Sequence, residues 1–381
     1  MRVSWGLFLA FMWLYRSAYS VVGQTVIVNL TTLGDSSKFQ RSEVIDRNLD
    51  VAEVATNVVG IRSLSTVITE NIGVIFSRLL FENPILINIA FQTVAFVGIV
   101  AFLMSLRPQY RILTAAILLL PSFTLWSSIA SKEAIVVLGV GLVSAYIVKQ
   151  FQRERRSFLL LMFGLLIIAV FKNHYLPAIL FLTVGIAVAR HLRQIDFLAF
   201  AALVMTFVPL YVLKDRLAET ALAILPHFLE VGGLRGRLTR EAFWQTPGEV
   251  YTKAAEGMAL SFFGPTPAEA TVGLLQMASF AESTLLAGTL VVVLLWRLPR
   301  VPLFSFFLSL GALFWILFAN YPFGVMNAGG AVRYRTGYEM FVVLIIVFLF
   351  SRTTFLAWRR PGRNNEATLE PAATLGAATT P

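Results

Sequence analysis

The sequence predicts an all-α, polytopic membrane protein with about ten transmembrane helices and two larger outer-face loops. Three observations predict it. The 381 residues are 57% hydrophobic but only 14% charged, against about 25% charged in soluble domains. Mean hydropathy is +0.75. Several separate apolar runs approach the roughly 17–25 residues that cross hydrocarbon as a helix, and none has the short alternating pattern of a membrane barrel.

Ten spans follow in order: 4–29, 84–105, 112–130, 134–148, 157–171, 175–189, 196–213, 272–296, 301–319 and 337–351. Arg16 interrupts the first. Residues 1–20 also read as a cleavable signal, with Arg2, an apolar centre and Ala18-Tyr-Ser20 as the small-residue site. With the N-terminus inside, inner segments hold 15 basic and four acidic residues, a net +11, and outer segments hold 15 basic (Arg16 aside) and 17 acidic, a net −2. This is the asymmetry of the positive-inside rule. It predicts a multi-pass membrane protein with both termini cytoplasmic and its working face outside. Residues 1–358 form one bundle, with outer loops at about 30–83 and 214–271, and 359–381 form a disordered cytoplasmic tail.

The net charge of +10 is spread in short clusters at the ends of apolar runs, so nucleic acid is not an expected partner. With no cysteine and three histidines, no metal site is expected. No cofactor is expected either, since no nucleotide-binding, nucleophile-elbow or zinc-helix motif is present.

Chemistry is expected in the outer segments. Asn327-Ala-Gly-Gly-Ala-Val-Arg333-Tyr334-Arg335 reads as the last outer loop. In a loop, both guanidinium groups can converge on one phosphate through paired donors, with Gly329 and Gly330 allowing close backbone approach. The plainer reading is that both arginines snorkel to lipid headgroups. Pro121-Ser-Phe-Thr-Leu-Trp126-Ser-Ser-Ile-Ala-Ser-Lys132-Glu133 joins spans three and four. Lys132 suits a phosphate, and Glu133 suits a hydroxyl proton or another arginine; the plainer reading is a serine-rich turn with a charged helix start. Asp35, in Gly34-Asp-Ser-Ser-Lys-Phe39, is a general-base candidate or a helix cap. Arg235, Arg237 and Arg240 suit an extended anion or form a solvated loop. Phe262-Phe-Gly-Pro-Thr-Pro267 predicts a rigid turn before a span containing Glu282, an intramembrane carboxylate expected to find an arginine partner. His174, at the tip of a tight hairpin, is an acid–base candidate or a surface histidine.

Together these elements resemble bacterial inner-membrane proteins of surface polysaccharide assembly, a group that includes exopolysaccharide and O-antigen repeat-unit polymerases and polytopic lipid-linked-sugar glycosyltransferases. The similarity covers most of residues 30–340. It implies a donor sugar on a polyprenyl (di)phosphate at the outer face. Lys132, Arg333, Arg335 and the 235–240 cluster would hold the phosphate. Asp35, Glu133 or His174 would take the acceptor's proton, and Trp126, Trp244 and Tyr334 would stack on sugars. It also implies membrane lipids, a flippase and a chain-length regulator as partners. Asp35 lacks the adjacent acid usual in single-sugar transferases of this group, which favours a polymerase over single-sugar transfer. A transporter or flippase of lipid-linked sugars is the alternative from another class. No internal repeat supports it.

Overall fold

In the computed structural model the described residues are 4–28, 35–41, 64–152, 154–155, 157–191, 201, 204, 207–208, 210–223, 240, 243–297 and 303–350. Most of them are helical, and no strand is present among them. Five helical runs are long and apolar enough to cross a membrane: Pro84–Ser105, Lys132–Gln152, Phe158–Val188, Leu274–Trp296 and Phe304–Gly324.

Local chemistry sets the boundaries. Helix α1 (Trp5–Val22) is capped by the Ser4 hydroxyl, which accepts from Leu7 N at 3.3 Å. Helix α2 (Leu64–Leu79) lies within the segment expected to be loop. It ends in a turn where Phe81 and Glu82 both adopt positive φ. Helix α3 (Pro84–Ser105) starts on Asn83, whose side chain accepts from Ile85 N and Leu86 N, with Pro84 in the first turn. Pro108 then opens α4 (Pro108–Ile117).

The expected span 112–130 is not one helix. After α4 the chain restarts at Pro121 as α5 (Pro121–Trp126) and then leaves helix altogether over 127–131 before α6 (Lys132–Gln152). Pro121 supplies no backbone donor to continue α4. All of 122–131 is nevertheless buried. Non-helical backbone is tolerated at that depth only when enclosed by protein or lining a cavity. Here Ala130 N donates to the Asn88 side chain at 2.8 Å, and Ser131 Oγ donates to Trp126 O at 3.2 Å.

Helices α7 (Phe158–Lys172) and α8 (Leu176–His191) meet at a 3-10 turn, Asn173–Tyr175. Short helices α9 (Glu249–Thr252), α10 (Ala254–Phe263) and α11 (Pro267–Ala270) precede the long α12 (Leu274–Arg297). The expected rigid turn is present. Gly264 takes φ 76°, and Thr266 and Glu269 form a reciprocal capping box around Pro267. Helices α13 (Leu303–Gly324) and α14 (Ala328–Phe350) are the last two described. The expected span 196–213 and the tail 359–381 lie largely or wholly outside the described residues.

Helix directions follow from contacts. α1 runs antiparallel to α3: Trp5 Nε1 reaches Met104 Sδ at 2.8 Å, and Asn88 Nδ2 reaches Ser20 O at 3.4 Å. α6 runs parallel to α14, with Glu133 beside Arg333 at one end and Phe151 beside Phe348 at the other. α6 and α7 are antiparallel, Glu133 meeting Lys172. α6 is the central helix, with 17 of its 21 residues buried. By contrast α1, α7 and α12 expose Leu7, Phe11, Leu159, Phe163, Val292 and Leu295 on the perimeter, the arrangement expected of walls that face hydrocarbon.

Candidate functional site

The end of the bundle that carries Glu133, Lys172 and Arg333 also holds a cleft of about 400 Å³, within the usual range for ligand sites. Its walls are mainly apolar. Tyr19 and Val22 come from α1, Trp126 from α5, Leu275 from α12 and Val332 from α14. Ala328 and Gly329, the first residues of α14, also line it.

The polar part of the lining centres on Glu282 and Ser122. Glu282, 9% exposed, accepts from Ser122 N at 2.9 and 3.2 Å and from the Ser122 hydroxyl by a short hydrogen bond. Ser122 Oγ in turn accepts from Arg335 Nη2 at 2.9 Å. Arg335 is fully enclosed. Nη1 donates to Phe262 O at 3.0 Å and to the Ser283 hydroxyl, and Nε lies 3.3 Å from Glu339 Oε2. Glu282 and Arg335 thus share Ser122, in place of the direct arginine pairing expected for Glu282, and the carboxylate beside Arg335 is Glu339.

A second cluster lies across α14. Glu133, 1% exposed, sits 3.2 Å from Arg333 Nε and 3.8 Å from Lys172 Nζ. Lys172 Nζ also stands 3.9 Å from the centre of the Tyr334 ring. Lys132 Nζ donates to Thr66 Oγ1 at 2.5 Å. A third cluster is peripheral. Arg240 grips Glu269 with two bonds, at 3.0 and 2.6 Å, and reaches Gly264 O and Val325 O. Burial pushes the Glu269 carboxyl up, but the Arg240 guanidinium and the Thr266 N–H outweigh it and hold the group below the usual carboxylate range.

Arg333 and Arg335 do not converge as expected of a loop. α13 continues to Gly324 and Asn327 already caps α14, its Oδ1 accepting from Gly330 N at 2.9 Å. Residues two apart on a helix point about 200° apart, so the arginines enter different clusters. Glu133 lies between two cations, away from the cleft. Trp126 lines the cleft. Trp244 is buried at 1% exposure against Phe243 and Tyr321, each ring at a steep angle to its own. His174 stacks on Phe323 at 4.6 Å rather than standing at a surface. Asp35 opens a 3-10 turn ending at Ser37, and its side chain lies outside the described residues, as do Arg235 and Arg237.

Sequence reasoning missed Lys172, Ser283 and Glu339 as partners. Glu339 carried a readable signal, four residues beyond Arg335 on one helical face. Among the described residues no group of histidine, cysteine or carboxylate side chains is arranged to hold a metal ion. Comparison with known protein families, curated proteins and solved structures finds no match.

Proposed function

We propose that this chain is a bacterial inner-membrane enzyme of surface polysaccharide assembly, transferring or polymerising sugars from polyprenyl-(di)phosphate donors at the outer face. The carrying observation is a largely apolar cleft in which a carboxylate is tied through one serine to a buried arginine. An apolar wall suits a polyprenyl chain. The start of α14 offers backbone N–H groups to a phosphate, and Arg335 adds fixed positive charge behind Ser122. In this reading an acceptor hydroxyl gives its proton to Glu282 as its oxygen bonds the anomeric carbon. The bond from that carbon to the phosphate oxygen breaks, and the lipid phosphate leaves as an anion. Preorganised charge of this kind is commonly the largest catalytic contribution. Trp126 and Tyr19, which line the cleft, would contact the sugar. Arg333, Lys132 and Lys172 lend positive potential from across α14.

Deleting the gene and analysing surface glycan provides the test, followed by complementation with Glu282→Gln, Ser122→Ala or Arg335→Lys. Polymer is expected to disappear in Glu282→Gln at normal protein level, with an undecorated or single-repeat lipid intermediate accumulating. Full polymer from all three variants sinks the assignment.

A further inference from the structure

Arg16 carries the one inference that stands apart from sugar transfer. It lies in the middle of α1 at 0% exposure. The other fully buried cations among the described residues each face an acid. Lys172 has Glu133 at 3.8 Å and Arg335 has Glu339 at 3.3 Å. The half-buried Arg333 and Arg240 do as well, at 3.2 and 2.6 Å. Arg16 does not. Its Nη2 donates to Ser127 Oγ at 2.8 Å and to Ser127 O at 3.3 Å, and its guanidinium carbon lies 5.7 Å from the Phe123 ring centre. Nε and Nη1 have no hydrogen-bond partner.

The surroundings are rich in donors. One turn along the same buried face of α1 is Ser20, whose hydroxyl is also unpartnered. Facing it, Asn88 of α3 bonds both Ser20 O and Ala130 N, which ties α1 and α3 to the serine turn. Gln92 Nε2, one turn along α3, and the hydroxyls of Thr124 and Ser128 beside Ser127 are buried without partners too. A guanidinium enclosed among neutral donors, with no carboxylate, carries a large penalty unless a negative charge joins it.

We propose that Arg16 and the Ser127–Ser128 turn form a binding site for a small inorganic anion of the halide class. The guanidinium supplies the charge and the three N–H groups of Nε and Nη1, and the hydroxyls of Ser20, Thr124 and Ser128 complete the donor set. Complete burial selects an ion that can be enclosed on all sides. A lipid phosphate keeps a tail and needs an open face. The anion acts structurally, neutralising α1 where it crosses the non-helical segment and so holding that segment against α3.

The test uses the purified full-length protein at constant ionic strength, with sodium gluconate replaced stepwise by sodium bromide or by sodium phosphate. Wild type is expected to show a saturable rise in melting temperature with bromide. That rise should be lost in Arg16→Gln and kept in Arg16→Lys. Should Arg16→Gln fail to fold, anomalous diffraction from wild-type crystals grown in bromide decides instead, with a peak expected within hydrogen-bonding distance of Nε or Nη1. Equal melting in gluconate and bromide, or no such peak, overturns the proposal, and so does stabilisation by phosphate alone. Loss of transfer activity bears on the cleft and not on this site, so the two readings fail separately.

Discussion

Glu133 is one carboxylate shared by two cations, and that sharing makes the outcome of substitution unequal. Glu133→Gln leaves Arg333 and Lys172 facing each other in a buried setting, a loss expected near 3–5 kcal/mol. Arg333→Gln leaves Glu133 still paired with Lys172 and should cost about 1–3 kcal/mol. Denaturation of the two variants in one detergent checks the order, and equal losses count against the shared-ion picture. Arg240 and Glu269 give a pH-dependent counterpart. Because the Glu269 carboxyl is held below its usual range, its contribution is complete above the unfolded-state pKa of about 4.3. It is lost as pH falls through the lower folded value. Wild type should therefore lose more melting temperature on acidification below that range than Glu269→Gln, and parallel curves count against the pairing. At this scale the sequence was partly legible. Arg335 and Glu339 announce themselves by a four-residue spacing, whereas Ser122 and Glu282 are 160 positions apart, and no local pattern links them.

Among the elements, α6 shows how closely helices approach when glycine lines both sides. Gly141 faces the backbone of Gly98 on α3, and Gly139 faces Gly164 on α7. A Cβ at Gly141 would meet the Gly98 backbone, which no rotamer change relieves. Such small-residue seams are a common basis of helix association in membranes. Gly141→Val is expected to abolish the folded, monodisperse species in size-exclusion chromatography. Gly288→Ala, on a helix with open space around it, should leave it intact and gain up to about 1 kcal/mol from helix propensity. Long apolar helices such as α3 and α6 were legible because composition, caps and prolines agree. The break over 127–131 was legible only as a serine-rich turn set against an expected span 112–130, since an apolar, serine-bearing segment reads the same whether its backbone bonds are helical or are met by Asn88 and Arg16. The three-residue turn before α14 was hidden for a related reason. Two glycines at 329–330 read as loop, but the Asn327 cap places them inside a helix.

At the scale of the whole molecule, the two ends of the bundle differ in chemistry. One holds the cleft and the three charged clusters. The other holds contacts such as Trp5 with Met104 and Phe151 with Phe348. On the positive-inside reading, the first end faces outward. The absence of cysteine makes this directly measurable with single introduced cysteines and an impermeant maleimide. Glu249→Cys is expected to label in intact cells, and Glu154→Cys only after the membrane is opened. The reverse pattern inverts the topology and removes the outer-face proposal.

The central helix also constrains biogenesis. α6 emerges from the ribosome well before α14, yet α14 forms one of its walls. Until α14 arrives, Glu133 lacks one of its two cations and a flank of α6 must be shielded by lipid or by an insertase. Nascent chains stopped before residue 328 should therefore be held by membrane chaperones and cleared by quality-control proteases, and full-length chains released.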